Sequence, residues 1–232
     1  MKEAFIKTEN YNTLNEAVSN LLALPPSAPR ICLGYGSFGQ GKTMSLDRIA
    51  AQHRTLIFRA GQTWTKSSFL GDLCDTLGLD RQGTSSTLYA RAMNDLRGNP
   101  RLIIIDEIDT LLRSTRYEVL ETVRDLHDEA YVPILFVGME ESDAKFKKHK
   151  HYYSRIVEFV KFKSTGLEDI KQFCSLSDIE VEDDLVKYFT TKYGNLRQIK
   201  VLILRLEGAA KVNDIKSCGL KQFKQLELEH GQ

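Results

Sequence analysis

Two short stretches carry the residue types that phosphate chemistry needs. Gly36-Ser37-Phe38-Gly39-Gln40-Gly41-Lys42-Thr43 fits the pattern G-x-x-x-x-G-K-[ST]. In that pattern the glycines let successive backbone N–H groups turn toward an anion, the lysine reaches the outer phosphates and the threonine hydroxyl can ligate Mg²⁺. Together with Met44 at the head of the next element, this run is the candidate loop for ATP. Further along, Leu102-Ile103-Ile104-Ile105 ends in Asp106-Glu107. Asp106 would hold the Mg²⁺ through water and Glu107 would polarise the attacking water, so the pair supplies the metal ligand and the catalytic base of nucleotide hydrolysis. A chance glycine-rich turn, or a strand end followed by a helix cap, explains either stretch alone. Neither explains both in one chain.

These residues work only if secondary structure delivers them. Ile31, Cys32 and Leu33 read as a buried parallel strand, and 44–53 as a helix with Leu46, Ile49 and Ala50 on one face, so the loop joins a strand to a helix N-terminus where the dipole favours an anion. The aliphatic run before Asp106 reads as a second central strand ending at the carboxyl edge of the same sheet, where open parallel sheets bind ligands. Segments 55–59 and 132–138 supply further strands, and 66–77, 84–97 and 115–130 supply helices, the last with Val119, Leu120, Val123 and Leu126 on one face. Ahead of the loop, 13–24 is an amphipathic helix bearing Leu14, Val18, Leu21 and Leu22, stopped by Pro25, Pro26 and Pro29. Phe5, Ile6 and Thr8 form either the wall of an adenine pocket or a loosely packed leader. From Gly166 onward the pattern is helical only, over 167–174, 182–193, 195–210 and 219–227. The expected fold is therefore α/β, with a central parallel sheet flanked by helices. A leader (1–29), a nucleotide-binding α/β part (30–164) and a small helical lid (165–232) succeed one another.

Composition limits the alternatives. The 232 residues are 42% hydrophobic, ample for a core, and the net charge is only +1, so affinity for a polyanion has to come from local patches. Cys32, Cys74, Cys174 and Cys218 lie far apart, which argues against a zinc site or a disulfide framework and fits a reduced cytoplasm. No apolar stretch is long enough to span a membrane, and the charged start MKEAFIKTEN is unlike a signal peptide. A basic run from Lys145 to Lys163 reads as a solvated face, and His149 and His151 lack the companions a metal needs. The loop 61–66 combines Trp64 with Thr65 and Lys66; it suits either contact with a DNA backbone or a tryptophan that is partly buried or at an interface.

A phosphate loop, an acid-ended strand and a helical lid together resemble the AAA+ ATPases. The resemblance implies more residues. Gly194-Asn195-Leu196-Arg197 is similar to the family's sensor 2, in which the arginine, here Arg197, reaches the outer phosphate. Ser154-Arg155 stands where such proteins place an arginine finger, although Arg155 is also readable as a surface charge. At the end of VPILFVGMEES, Gly138 and Met139 occupy the place of the usual polar sensor 1 residue, so none is assigned. Within AAA+ proteins, FIKTENYNTL, DEIDTLL, ETVRDLHDEAYVPILFVGMEE and YYSRI are similar to the target-selection ATPases of DNA transposition, the MuB and TnsC group. That likeness implies ATP and Mg²⁺ as cofactors, double-stranded DNA and a transposase as partners, and assembly as a hexameric ring or helical filament. Thr65, Lys66, Arg113 and Arg116 are the candidate DNA contacts. The chain is expected to lack the N-terminal helix-turn-helix domain of some relatives. A helicase loader or replication-initiation ATPase is the alternative, and a nucleotide-dependent scaffold with scant turnover is a third reading.

Overall fold

The computed structural model describes residues 1–112 and 117–229. In chain order, the leader opens into α1 (Glu9–Ala23), followed by β1 (Ile31–Tyr35), α2 (Lys42–Gln52), β2 (Thr55–Arg59), α3 (Lys66–Thr76) and α4 (Ser85–Gly98). Then come β3 (Leu102–Asp106), a 3₁₀ turn at Ile108–Thr110, α5 (Tyr117–Ala130), β4 (Ile134–Gly138), α6 (Ser142–Lys147), α7 (Lys150–Tyr153) and β5 (Ile156–Lys161). The remainder is α8 (Leu167–Cys174), β6 (Glu180–Val181), α9 (Asp183–Lys192), α10 (Leu196–Asn213), β7 (Ser217–Cys218) and α11 (Leu220–Gln225). Two compact units result, both discontinuous in sequence. One is Leu14–Gly36 with Ser45–Lys161; the other is Met1–Thr13, Ser37–Met44 and Phe162–Gln232.

The larger unit is built on a five-stranded, wholly parallel sheet in the order β2-β3-β4-β1-β5. β3 and β4 lie inside it with every residue buried, which is why LIIID and ILFVG are continuous apolar runs rather than alternating ones. β2 is an edge strand and alternates, Leu56 and Phe58 inward and Ile57 and Arg59 outward. Because the strands all point one way, Tyr35, Arg59, Asp106 and Gly138 end at one edge, with Arg59 in register with Asp106 and Tyr35 with Gly138. Between β2 and β3 the helices α3 and α4 cover one face, where Trp64 packs on Phe69 at 5.2 Å between ring centroids and Phe69 on Phe58 at 5.8 Å. Trp64 is thus a core residue, and of its two readings the buried one holds. In α5 the expected stripe Val119, Leu120, Val123 and Leu126 is buried.

The smaller unit has its own core, formed by Ile170, Leu185, Phe189, Ile199, Leu202, Leu206 and Phe223 from α8 to α11. It is not purely helical. β6 and β7 form a two-stranded parallel sheet, Glu180 opposite Ser217 and Val181 opposite Cys218. Strands of two residues complete no alternating period, so the helical reading of this region had nothing to detect. The leader helix also begins earlier than its apolar pattern suggests. It starts at Glu9, where the Thr8 hydroxyl accepts the Tyr11 N–H at 3.2 Å in the manner of a helix cap. Its buried positions include Ala17, while Leu22 is partly exposed. All four cysteines are buried free thiols, and burial pushes the Cys174 thiol up to about 12, away from reactivity. Among the described residues no helix is long and apolar enough to cross a membrane.

Candidate nucleotide site

The loop after β1 is shaped by one side-chain and one backbone hydrogen bond from the head of α10 rather than by its glycines alone. Asn195 Nδ2 donates to the Phe38 carbonyl at 2.9 Å, and the Leu196 N–H donates to the Gly39 carbonyl at 3.0 Å. Asn195 Oδ1 meanwhile accepts the N–H groups of Arg197 and Gln198 at 3.0 and 3.2 Å, so this side chain is at once the N-cap of α10 and a clamp on the loop. Two loop carbonyls are thereby turned toward the lid, and the N–H groups of those peptides necessarily point the other way, as an anion cradle needs. Gly39 sits at φ 72°, and a Cβ there would lie 2.0 Å from Asn195 Oδ1. Its neighbour Gln40 is held from the leader, since Asn10 Nδ2 donates to the Gln40 carbonyl at 3.3 Å and to the Lys163 carbonyl at 2.8 Å. The Lys42 ammonium donates to the Ser37 carbonyl at 2.7 Å.

Of the other residues assigned to nucleotide binding in this unit, Thr43 and Met44 begin α2, with Met44 exposed. Thr8 is buried with its hydroxyl engaged in the helix start, and Phe5 meets Tyr11 edge-on at 4.8 Å. Arg197 is exposed in the first turn of α10. Phe38 is 66% exposed despite its size. A large apolar side chain left in solvent at a loop tip is a candidate contact surface.

The acids stand in the larger unit. Asp106 ends β3 almost fully buried, and its Oδ1 accepts the Glu107 N–H at 2.9 Å. Glu107 leaves the strand in the left-handed region, φ 57° and ψ 38°, with its carboxylate exposed. For a non-glycine residue that conformation costs on the order of 1 kcal/mol, and such strain collects at functional positions. Arg59, at the end of the neighbouring strand, bridges the pair: Nη2 is 3.7 Å from Asp106 and Nε is 3.6 Å from Glu107. Asp109, three residues on, accepts the Met139 N–H at 2.6 Å, the Ser142 hydroxyl at 2.9 Å and the Lys145 ammonium at 3.1 Å. It ties the turn after the acids to the end of β4. The same packing leaves no room for a side chain at position 138, where a Cβ would fall 2.2 Å from Ser142 Oγ.

Arg155 forms a fork with Asp128, Nε to Oδ1 and Nη2 to Oδ2 both at 3.0 Å. Within the basic run containing it, Lys145 pairs with Asp109, Lys147 with Asp143 and Lys161 with Glu140. Among the candidate DNA contacts, Lys66 is exposed at the start of α3, and the Thr65 hydroxyl is engaged as that helix's cap, accepting the Ser68 N–H at 3.2 Å. Arg113 and Arg116 lie outside the described residues. No cluster of three or more histidine, cysteine or carboxylate side chains forms a metal cage among the described residues.

Sequence reasoning gave no role of their own to Asn195, Asn10, Arg59 and Asp109. Asn195 carries a visible signal, a helix-capping residue directly before an apolar-periodic run. The others act on partners that only the fold brings near.

A parallel sheet with a phosphate loop after its first strand, acids ending its third and a helical C-terminal unit is the architecture of AAA+ nucleotide-handling domains. Residues 27–146 match the family described as AAA domain, and the chain belongs to that family. It is similar to the Mu-like prophage FluMu DNA transposition protein B of Haemophilus influenzae, 26% identical over 70% of this chain and 60% of that protein. It is also similar to the chromosomal replication initiator protein DnaA of Thermosipho melanesiensis, 27% identical over 45% of this chain and 26% of that protein. The chain thus spans less than two thirds of the length of either relative. Among solved structures, an Aeropyrum pernix ORC2 protein in ADPNP-ADP complexes superposes with a TM-score of 0.74 at 16% identity, over 99% of this chain and 69% of that one. Domain III of the Thermotoga maritima replication initiation protein DnaA gives 0.62 at 18%, over 96% and 92%. These likenesses show a shared fold.

Proposed function

We propose that this chain binds and hydrolyses ATP and uses that cycle to assemble on double-stranded DNA, where it recruits or regulates a transposase. The observation that carries this reading is the match to a DNA transposition protein over 70% of the chain. The loop from Gly36 to Met44 binds the phosphates, with Lys42 on the outer ones, and Phe5 and Thr8 contribute to the adenine pocket. ATP fits a loop whose carbonyls are turned away by Asn195 and Leu196. In this reading the Thr43 hydroxyl is a ligand of Mg²⁺ and the Asp106 carboxylate holds the ion through water, hard oxygens of the kind this ion takes before completing its shell with phosphates and water. When bound, the ion neutralises charge on the transferring phosphoryl group. Glu107 orients and polarises water, Arg197 contacts the outer phosphate, and Arg155 acts as a finger on a neighbouring subunit in a ring or filament.

DNA binding in this reading comes from few cations per subunit, Lys66 with Thr65, Arg113 and Arg116. A chain of net charge +1 binds weakly alone, and assembly adds its contacts along the duplex. Filter retention of two unrelated duplexes, with ATP and with ADP across a salt series, tests it. The expected result is ATP-dependent, steeply salt-sensitive binding with little preference between sequences. Absence of ATP-dependent binding to either duplex at low salt defeats the transposition reading. The similarity to a replication initiator favours a second reading, a helicase loader or initiation ATPase. Electron microscopy separates the two: filaments on plasmid DNA support transposition, and discrete rings on a helicase support loading.

A further inference from the structure

The parallel sheet has a second edge, where its strands begin, and that edge carries a row of arginines. The residues immediately before β2, β3, β4 and β1, taken in the order those strands lie side by side, are Arg54, Arg101, Pro133 and Arg30. Neighbouring strands are about 4.8 Å apart, so the row spans roughly 14 Å. It opens into a cleft of about 310 Å³ lined by Leu22, Pro26, Arg30, His53, Arg54, Pro100, Arg101, Leu102 and Pro133, none of them acidic. Asp106 and the end of β1 belong to the opposite edge of the same sheet, so this cleft is separate from the acids described above.

The charge in the cleft is incompletely answered. Arg30 is 93% buried, since only 7% of its surface is exposed, yet among the described residues its guanidinium donates to the Tyr131 carbonyl alone, and its Nε is sealed from water with no acceptor among them. A buried cation without an anion has lost hydration that one carbonyl dipole does not replace, and burial lowers the pKa of Arg30 accordingly. Arg101 is paired with Asp95, but its Nε is likewise buried without an acceptor. Arg54 is exposed, and no ion pair among the described residues engages it.

We infer that this cleft is a binding site for phosphate groups, carried either by a nucleic-acid backbone or by a free phosphorylated ligand. Phosphate fits better than a carboxylate side chain. One guanidinium fork saturates a carboxylate, whereas a phosphate offers oxygens on several sides and can accept from convergent arginines at once. Leu22, Pro26, Pro100, Leu102 and Pro133 set apolar wall beside the arginines, which lowers the local dielectric and strengthens each charge-assisted bond.

The test titrates inorganic pyrophosphate by thermal shift, and a fluorescein-labelled oligonucleotide by anisotropy, against wild type, Lys42→Ala, Arg54→Glu and Arg54→Ala. Arg54 is exposed at a strand entry, so both of its variants should fold, and circular dichroism checks that they do. A saturable pyrophosphate signal that persists in Lys42→Ala and weakens roughly tenfold or more in both Arg54 variants is the expected result. If oligonucleotide binding falls in parallel, the source is a nucleic-acid backbone; if it is unchanged, the source is a free phosphate. A pyrophosphate signal lost entirely in Lys42→Ala overturns the proposal, because the phosphate loop then accounts for all of it. Unchanged binding in Arg54→Glu overturns it too, as does an Arg54-dependent preference for a polyglutamate peptide over pyrophosphate.

Discussion

Replacing Asn195 by alanine removes three bonds that serve two structures. The cap on α10, two N–H groups at 3.0 and 3.2 Å, is worth about 1 kcal/mol, and the neutral bond to the Phe38 carbonyl contributes about 1 kcal/mol more. A loss of about 2 kcal/mol in a chain of this length lowers the melting temperature by roughly 4 to 8 °C. Gly39→Ala attacks the same contact from the other side. Its Cβ would fall 2.0 Å from Asn195 Oδ1, so the amide must swing away and surrender those bonds, and alanine at φ 72° adds about 1 to 2 kcal/mol of its own. The double variant should therefore be hardly less stable than Gly39→Ala alone, a departure from additivity of about 2 kcal/mol. Thermal melts of the four proteins measure that coupling. Titration with a fluorescent ATP analogue should show affinity falling about fivefold in Asn195→Ala, as the loop loses its clamp. Strictly additive stability losses would refute the claim that Asn195 and Gly39 share one contact. Unaltered nucleotide affinity would refute the claim that the contact shapes the loop.

Glu107→Gln should retain ATP while turnover drops by two orders of magnitude or so, because the water loses its polarising carboxylate, whereas Lys42→Ala should lose binding itself; equilibrium binding beside phosphate release separates the two. Arg155→Ala should abolish the extra turnover that assembly brings and leave single-subunit ATP affinity intact. Mixing it with Glu107→Gln subunits should restore part of the rate, and inactivity at every ratio would assign Arg155 to its fork with Asp128 instead. Burial holds the pKa of His127 below its ordinary 6.5, although the bond to the Val132 carbonyl opposes the shift. The unfolded chain then binds the proton more readily, so its contribution is complete above pH 6.5 and lost as pH falls toward the folded value. Melts between about pH 8 and pH 5 should slope less in His127→Gln than in wild type.

The parts of the fold that are readable in the sequence are those encoded by neighbours. LIIID and ILFVG can only be strands buried on both faces, and the loop motif between Tyr35 and Lys42 carries its chemistry in its own spacing. What escapes are relations between distant residues. Arg59 is an ordinary strand-terminal cation until the register of β2 with β3 sets it beside Asp106. Asp109 looks like one more acid in DEID, and only the return of β4 gives it the Met139 N–H to hold. Trp64 shows the opposite case: polar neighbours suggest a surface loop, while Phe58 and Phe69 draw the ring into the core.

Asn195 stands 157 residues after the carbonyl it holds. On the ribosome, the phosphate loop emerges before its clamp, and until Asn195 and Leu196 follow, the Phe38 and Gly39 carbonyls lack their final partners. Closing so long a span is entropically slow and contributes nothing until its last member has emerged. A nascent chain halted between the loop and position 195 therefore carries the full loop motif without the clamp that shapes it, and any ligand that needs the clamped loop would bind only after Asn195 has emerged.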